Sequence, residues 1–175
     1  MKKLIKIYTD GAVSGNPGGP GGAAAIVQNY ITEEIYIEGR FSTETTNQRA
    51  ELMGIIIGLN TVLDLHTIMM NDLIFTSIKI FSDSAYIVRA FNEKWIEKWQ
   101  YNDWITSTKK SVTNQDLWKS ILNKLEILKH YGAIIEFIKV KGHSNNKYNN
   151  LADEVAVYCK KNQVIFSNRM ALKED

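Results

Sequence analysis

Apolar residues near the start of the chain fall in short runs, a pattern typical of β-strands. Leu4–Thr9 and Ala23–Gln28 are two such runs, and Glu33–Phe41 alternates isoleucines with polar or aromatic residues. Gly11–Gly22 holds six glycines and both prolines of the chain, so it predicts a turn or loop after a strand that ends at Asp10. Three early strands with short connections predict an antiparallel meander.

Helical spacing takes over after residue 45. Hydroxyl and amide side chains at Thr45–Asn47 can cap a helix, and apolar residues then repeat at three and four positions from Leu52 to Leu63. The later segments predict a strand at Ile78–Phe81, helices at Ala85–Phe91, Trp95–Tyr101 and Asp116–Tyr131, a strand at Ala133–Val140 and a helix at Asn149–Lys161. Strands first, then alternating helices and strands, indicate a mixed α/β fold rather than a helical bundle.

Length and composition fit one globular domain. The chain has 175 residues and a net charge of only +2, so attraction to nucleic acid would need local clusters of charge. Its single cysteine, Cys159, excludes an internal disulfide and lies in an apolar helical pattern, which favours packing over a functional thiol. The short apolar run at the N-terminus is no signal peptide, and no segment is long enough for a membrane span. We expect a cytoplasmic protein without membrane contact.

Four acidic residues stand at strand borders or in amphipathic helices: Asp10, Glu51, Asp83 and Asp153. Simpler roles exist for each, namely a turn at Asp10, a surface position for Glu51, helix capping by Asp83 and an acidic surface pair of Asp153 with Glu154. If the fold gathers them, their mutual repulsion requires a cation. Carboxylate oxygens suit Mg²⁺ or Mn²⁺, and two such ions about 3.5–4 Å apart can activate a phosphodiester.

Five blocks carry these acids in order along the chain: Tyr8–Gly22 (YTDGAVSGNPGGPGG), Thr46–Leu59 (TNQRAELMGIIIGL), Ser82–Val88 (SDSAYIV), Asn114–Trp118 (NQDLW) and Val140–Ala156 (VKGHSNNKYNNLADEVA). Together they resemble ribonuclease H of type 1, in its bacterial single-domain form. The resemblance implies a catalytic domain at residues 1–162 and leaves 163–175 as a C-terminal tail without a structural prediction. It also implies a ribonuclease H-like fold, with a five-stranded mixed sheet, antiparallel in its first three strands, flanked by helices.

The resemblance implies an endonuclease that hydrolyses the RNA strand of RNA–DNA hybrids and leaves 5′-phosphate and 3′-hydroxyl ends. Asp10, Glu51, Asp83 and Asp153 would hold two Mg²⁺ ions in the substrate complex, with Mn²⁺ as a substitute. His143, in a glycine- and asparagine-rich loop, would assist proton transfer and product release. The expected working form is a monomer. The alternatives are a nuclease domain released from a reverse transcriptase and a hybrid-binding module without turnover.

Uncharged polar residues would read the hybrid. By resemblance, Asn16, Asn47 and Gln48 contact its minor groove, while Thr46 and Asn114 bind a phosphate of the DNA strand. Turn or capping roles are the alternative for these five residues. Ala85 stands where bacterial relatives often carry a glutamine, which removes one expected base contact.

A basic segment would hold the DNA strand. Trp95, Lys98, Trp99, Lys109 and Lys110 resemble the basic protrusion of the family, which grips the DNA backbone. Acidic residues dilute its charge, so the alternative is a solvated helix face with core tryptophans. The segment Leu65–Thr76 is about ten residues longer than in bacterial relatives and has no predicted role.

Overall fold

The computed structural model describes residues 3–15, 17–66, 73–142 and 145–172. Its strands are β1 (Leu4–Val13), β2 (Gly19–Asn29), β3 (Glu34–Thr45), β4 (Ser77–Ser82), β5 (Ile134–Lys139) and β6 (Phe166–Ala171). Its helices are α1 (Asn47–His66), α2 (Ala85–Asn92), α3 (Trp95–Tyr101), α4 (Gln115–His130) and α5 (Lys147–Asn162). The mixed α/β fold predicted from the sequence is confirmed.

The strands form one mixed sheet in the order β5-β4-β1-β2-β3-β6. β1, β2 and β3 pair antiparallel as a meander, while β4 pairs parallel with β1, and β5 pairs parallel with β4. Since parallel neighbours end at the same edge of a sheet, the carboxyl ends of β1 and β4 lie side by side. This arrangement brings Asp10, on β1, close to Asp83, the residue directly after β4.

Helices cover both faces of the sheet. Helices α1 to α4 pack on one face around a core that includes Ile5, Ile7 and the fully buried Trp118. Helix α5 packs on the opposite face, where Ala152, Val155, Ala156 and Cys159 contact Tyr8 and Ile26 of the sheet. Burial of Cys159 agrees with the packing role expected for it. Within the described part of the chain, no helix has the length and apolar character needed to cross a bilayer.

The glycine-rich stretch is mostly strand, so the predicted loop at Gly11–Gly22 is wrong in extent. β1 continues past Asp10 to Val13, and β2 begins at Gly19, with pairs running from Ile5–Asn29 to Val13–Gly21. Glycine and proline usually interrupt strands, but here backbone pairing with a neighbouring strand overrides that local preference. Asp10 therefore lies inside a strand, three residues before its end.

The sheet has six strands rather than the five predicted. The additional strand β6 comes from the C-terminal tail and pairs antiparallel with β3, from Glu34–Ala171 to Gly39–Phe166. Arg169 forms an ion pair with Glu34, and Ser167 donates a hydrogen bond to Glu38. Almost all of β6 is exposed, so its sequence lacks the alternation of apolar and polar residues that reveals a half-buried strand.

Candidate active site

Asp10 lies on β1 at a point where the first turn of α1 touches the strand. The Asp10 side chain is only 7% exposed, and the neighbouring Gly11 N–H donates to its Oδ1 atom over 2.7 Å. A Cβ atom on Gly11 would stand 2.6 Å from the carbonyl carbon of Ala50 and 2.7 Å from the nitrogen of Glu51. Glycine therefore permits a contact between strand and helix that brings Glu51 beside Asp10.

Asp83 follows directly after β4. Because Thr9 pairs with Ser82 in the parallel register of β1 and β4, Asp83 emerges next to Asp10. The N-cap of α2 is Ser84, whose Oγ accepts from the Ile87 N–H over 3.4 Å. Capping by Asp83, one alternative drawn from the sequence, is therefore wrong, and its carboxylate serves another purpose.

Asp10, Glu51 and Asp83 form an acidic triad. Each offers a carboxylate oxygen that lies within 4.8 Å of the oxygens from the other two, the one such group found among the described residues. Asp153, on α5, is outside this group, but its negative charge is near enough to contribute to the raised pKa of Asp10. Three of the four predicted acids are thus brought together, and the fourth lies within electrostatic range.

Burial and the neighbouring negative charges disfavour the ionised forms of Asp10 and Glu51. Burial, then the charge of Asp83, raises the pKa of Asp10 from 3.8 to about 7, while the Gly11 N–H opposes this shift. Burial, followed by the charges of Asp10 and Asp83, raises the pKa of Glu51 well above its ordinary value. The Glu51 Oε2 atom is buried and has no hydrogen-bond partner among the described residues. A buried acceptor without a donor, in a cluster of carboxylates, fits a divalent cation.

The loop after β5 touches this triad. A Cβ atom on Gly142 would lie 2.7 Å from Asp83 Oδ2, so the backbone there contacts the carboxylate directly. His143 follows Gly142 in the sequence but lies outside the described residues, as do Asn16 and residues 67–72 of the long segment Leu65–Thr76.

The polar residues at the starts of α1 and α4 form one hydrogen-bonded group. Thr46 Oγ1 accepts from the Arg49 N–H over 3.3 Å, which makes it a cap of α1. Asn114 donates from Nδ2 to Gln48 Oε1 over 3.1 Å, and its Oδ1 accepts from Arg49 Nη1 over 3.2 Å. Arg49 also forms a two-pronged ion pair with Asp116, at 2.9 Å and 2.6 Å.

Arg49 and Asp116 were missed from the sequence, although both stand in the blocks TNQRAEL and NQDLW. Arg49 directly follows Gln48, and Asp116 lies two positions after Asn114. A long-range pair of charges, 67 positions apart in the chain, leaves no signal in local sequence patterns.

The basic segment divides into buried rings and exposed lysines. Trp99 is 9% exposed and packs in an aromatic cluster, with its ring centroid 5.4 Å from that of Trp118. Trp95 is half-buried against Tyr86, at 5.8 Å between ring centroids. The lysines at 98, 109 and 110 are exposed. Burial favours the core-packing alternative for Trp99 and leaves the lysines as the groups accessible to a ligand.

Comparisons with known proteins agree with the sequence blocks. Residues 2–160 match the RNase H family model. Over 154 residues the chain is 46% identical to the ribonuclease H of Caldanaerobacter subterraneus subsp. tengcongensis, covering 88% of this chain and 89% of that relative. The structure of LC9-RNase H1, a type 1 RNase H with the type 2 active-site motif, superposes with a TM-score of 0.76 at 22% identity and covers 98% of this chain and 78% of that one. LC11-RNase H1 in complex with an RNA/DNA hybrid gives a TM-score of 0.62 at 22% identity, covering 91% and 98%.

The two solved structures share the fold, and the family model and the bacterial relative extend over most of the chain. The resemblance seen in the five sequence blocks is thereby confirmed: this chain belongs to the ribonuclease H family.

Proposed function

We propose that this chain hydrolyses the RNA strand of RNA–DNA hybrids by two-metal-ion catalysis and leaves 5′-phosphate and 3′-hydroxyl ends. The observation that carries the proposal is the acidic triad, with carboxylate oxygens within 4.8 Å of one another in a chain of the ribonuclease H family. Retention of Asp153 as a fourth carboxylate supports an active enzyme over a hybrid-binding module without turnover.

The residues present fit divalent cations. Asp10, Glu51 and Asp83 supply only hard oxygen ligands, and the Glu51 Oε2 atom, which has no hydrogen-bond partner in the described part of the chain, is a buried acceptor suited to an ion. We propose Mg²⁺ as the cation, two per active site in the substrate complex, with Asp153 as the fourth ligand and Mn²⁺ as a substitute. Bound divalent cations stabilise the charge that develops on a phosphodiester and lower the pKa of water at the site.

The chain's own residues set the conditions for that chemistry. Asp10 lies within β1 and Asp83 directly after the neighbouring β4, so the sheet positions both carboxylates. His143 is proposed to assist proton transfer and product release, and the contact of Gly142 with Asp83 supports a loop that starts at the acidic triad.

Substrate recognition is assigned to the polar group and the exposed lysines. We propose that Asn16, Asn47 and Gln48 contact the minor groove, where a 2′-hydroxyl distinguishes RNA from DNA. Thr46 and Asn114 bind a phosphate of the DNA strand. In the basic segment, the exposed Lys98, Lys109 and Lys110 are proposed to hold the DNA backbone. Trp95 and the buried Trp99 support this segment by packing in the aromatic cluster.

The proposed catalytic unit is residues 1–162, acting as a monomer, because all four carboxylates come from one chain. A cytoplasmic location is proposed on the single buried Cys159, which suits a reducing compartment.

Incubation with labelled substrates tests the function. RNA–DNA hybrid, double-stranded RNA and double-stranded DNA are each incubated with Mg²⁺, with Mn²⁺ and with chelator. We expect cleavage of the hybrid alone, in its RNA strand, and no cleavage with chelator. Cleavage of all three substrates, or of none, would contradict the proposal.

The Asp10→Asn variant tests the metal site. Loss of one ligand should abolish hydrolysis in Mg²⁺, while hybrid binding stays intact or improves slightly because one negative charge near the phosphate is gone. Binding is measured by fluorescence anisotropy with labelled hybrid. Substantial turnover by this variant would show that Asp10 is no metal ligand.

A further inference from the structure

Asn114 occupies an unusual place for a residue that begins a helix. It is the N-cap of α4, in the left-handed region with φ 59°, yet its side chain makes no capping hydrogen bond. An asparagine N-cap in the usual extended conformation accepts a hydrogen bond from the first helical turn. The Asn114 amide instead bonds sideways to Arg49 and Gln48. Its side chain is committed to a contact between two helices rather than to its own helix.

These contacts form a series of hydrogen bonds in which the donor and the acceptor of each bond are fixed. Asp116 can only accept, and Arg49 can only donate, so the guanidinium fixes the carbonyl oxygen of Asn114 toward itself. The Asn114 amide nitrogen then donates to Gln48 Oε1. Each amide thus uses its oxygen within this series of hydrogen bonds. With respect to the described residues, the NH₂ group of Gln48 and one N–H of Asn114 are left as donors.

Remaining donors are what a nucleic acid requires. Phosphate oxygens accept hydrogen bonds, and base edges in the minor groove are mainly acceptors. An amide that turned its oxygen outward would repel both kinds of group. The series of hydrogen bonds prevents that outward orientation of the oxygen for both Asn114 and Gln48.

Two simpler roles for the Arg49–Asp116 pair are weaker. Side-chain exposures of 36% and 61% make it a surface ion pair, and such pairs contribute little to stability. Direct attraction of phosphate by Arg49 is reduced because Asp116 neutralises its charge through both prongs. The geometry, rather than the charge, is the feature that the pair supplies.

We propose that Arg49, anchored on Asp116, is a positioning residue that fixes the amides of Asn114 and Gln48 as hydrogen-bond donors toward the hybrid. This inference rests on the proposed function, since it assigns those two amides to the substrate. It predicts that binding of the DNA-strand phosphate and reading of the minor groove are coupled through Arg49.

The Asp116→Asn variant distinguishes a positioning role of Arg49 from a purely electrostatic role of the ion pair, because the two predict opposite changes in hybrid binding. Removing a negative charge near the binding site should tighten binding if charge alone matters. If Arg49 positions the amides, loss of its two-pronged anchor should weaken binding instead. We expect KM for the hybrid to rise about three- to tenfold, as for one missing hydrogen bond, with kcat nearly unchanged.

Glu136→Gln is the matched control, because Glu136 is an exposed carboxylate on β5 that also forms an ion pair, with Lys79. It removes the same charge away from the polar group, and its KM should stay at the parental value. Tighter or unchanged binding by Asp116→Asn, with thermal unfolding also unchanged, would overturn the inference.

A double-mutant cycle completes the test. Arg49→Lys keeps the charge but cannot bridge Asn114 and Asp116 with a planar fork. We expect Arg49→Lys and Asn114→Ala to raise KM singly and to show no further rise when combined, because both remove the same oriented amide. Additive effects would overturn the inference while leaving the function intact.

The cycle is also run as hybrid binding in the Asp10→Asn background, which needs no turnover. Absence of cleavage by the parental chain then counts against the proposed function alone. Absence of any hybrid binding would overturn both.

Discussion

The carboxylates of Asp10 and Glu51 oppose folding unless a proton or a cation neutralises them, because their pKa values are raised in the folded protein. Asp10 has a pKa of about 7 in the folded protein against 3.8 ordinarily, with burial as the main cause. A carboxyl whose pKa is raised by folding destabilises the folded state once it ionises. The metal-free protein therefore loses stability as pH rises from about 4 to about 7, and the loss is complete above pH 7.

Asp10→Asn should stabilise the metal-free protein in a pH-dependent way. At pH 8 in chelator we expect the free energy of unfolding to rise by up to about 4 kcal/mol, the equivalent of the pKa shift at roughly 1.4 kcal/mol per unit. At pH 4 the gain should nearly vanish, because Asp10 is then protonated in both states. Urea unfolding at the two pH values measures this difference. Glu97→Gln, at an exposed position, is the control and should change little at either pH.

A pH-independent effect of Asp10→Asn, or destabilisation at pH 8, would contradict the electrostatic cost assigned to the triad. The expected opposition between stability and activity is common at catalytic sites.

The sequence predicted the residues of the acidic triad, but it did not predict that Arg49 and Asp116 take part in the polar group. Asp10 and Asp83 border apolar runs, and Glu51 sits beside the buried stripe of α1, so their positions were visible in local patterns. Arg49 was not visible, because its role depends on Asn114 and Asp116 from a helix 65 to 67 positions later. Hydrogen bonds between distant parts of the chain depend on how the helices pack, and no local sequence pattern reports that packing.

At the scale of elements, α3 and the loop after it combine a core and a surface. Trp95 packs against Tyr86, and Trp99 packs against both Trp118 and Trp104. Lys109 and Lys110 lie in a tight turn, in which the Lys110 N–H donates to the Thr106 hydroxyl. The aromatic cluster anchors the element, so the exposed lysines are presented on a fixed base rather than on a free chain.

Changing Lys98, Lys109 and Lys110 to alanine should raise KM for the hybrid and leave kcat nearly unchanged, because the binding that these lysines supply is shared by ground and transition states. The salt dependence of binding should also flatten, by up to about one unit of slope for each phosphate that is no longer neutralised by a lysine. Steady-state kinetics and salt titrations measure both effects. The control changes three exposed lysines away from the site, Lys3, Lys129 and Lys161. Equal effects in the two triple variants would show a general charge effect, and no effect in either would make the lysines a solvated face.

Helices were easier to predict than strand ends. The bounds of α3 agree with the sequence pattern residue for residue, and those of α2, α4 and α5 differ by no more than two positions at either end. Strands β1 and β2 extend well into the glycine-rich stretch, because their pairing is a tertiary interaction that local residue preference does not report.

At the scale of the whole molecule, the sheet extends beyond the part that matches the family. The family model ends at residue 160, and β6 begins at Phe166. β6 covers the edge of β3, where Ile35, Tyr36 and Ile37 are buried, and Arg169 adds a contact over the Tyr36 ring at 5.4 Å. The acidic triad lies on β1, on α1 and directly after β4, near the middle of the sheet rather than at this edge.

A chain that stops after Gln163 should therefore keep its chemistry and lose stability. We expect kcat and KM for the hybrid within about twofold of the full chain at 25 °C, because no proposed ligand is removed. The free energy of unfolding should fall by about 1–3 kcal/mol, as expected when strand pairing is removed and apolar area at β3 becomes exposed. Urea unfolding and steady-state kinetics on the same preparation measure both quantities.

Arg169→Ala in the full chain is the milder companion and should reproduce only part of the stability loss, since it removes the ion pair with Glu34 but leaves the backbone pairing. A truncated chain that stays folded but loses turnover would show instead that β6 supports the site, and the proposed catalytic unit at residues 1–162 would have to be extended to include it.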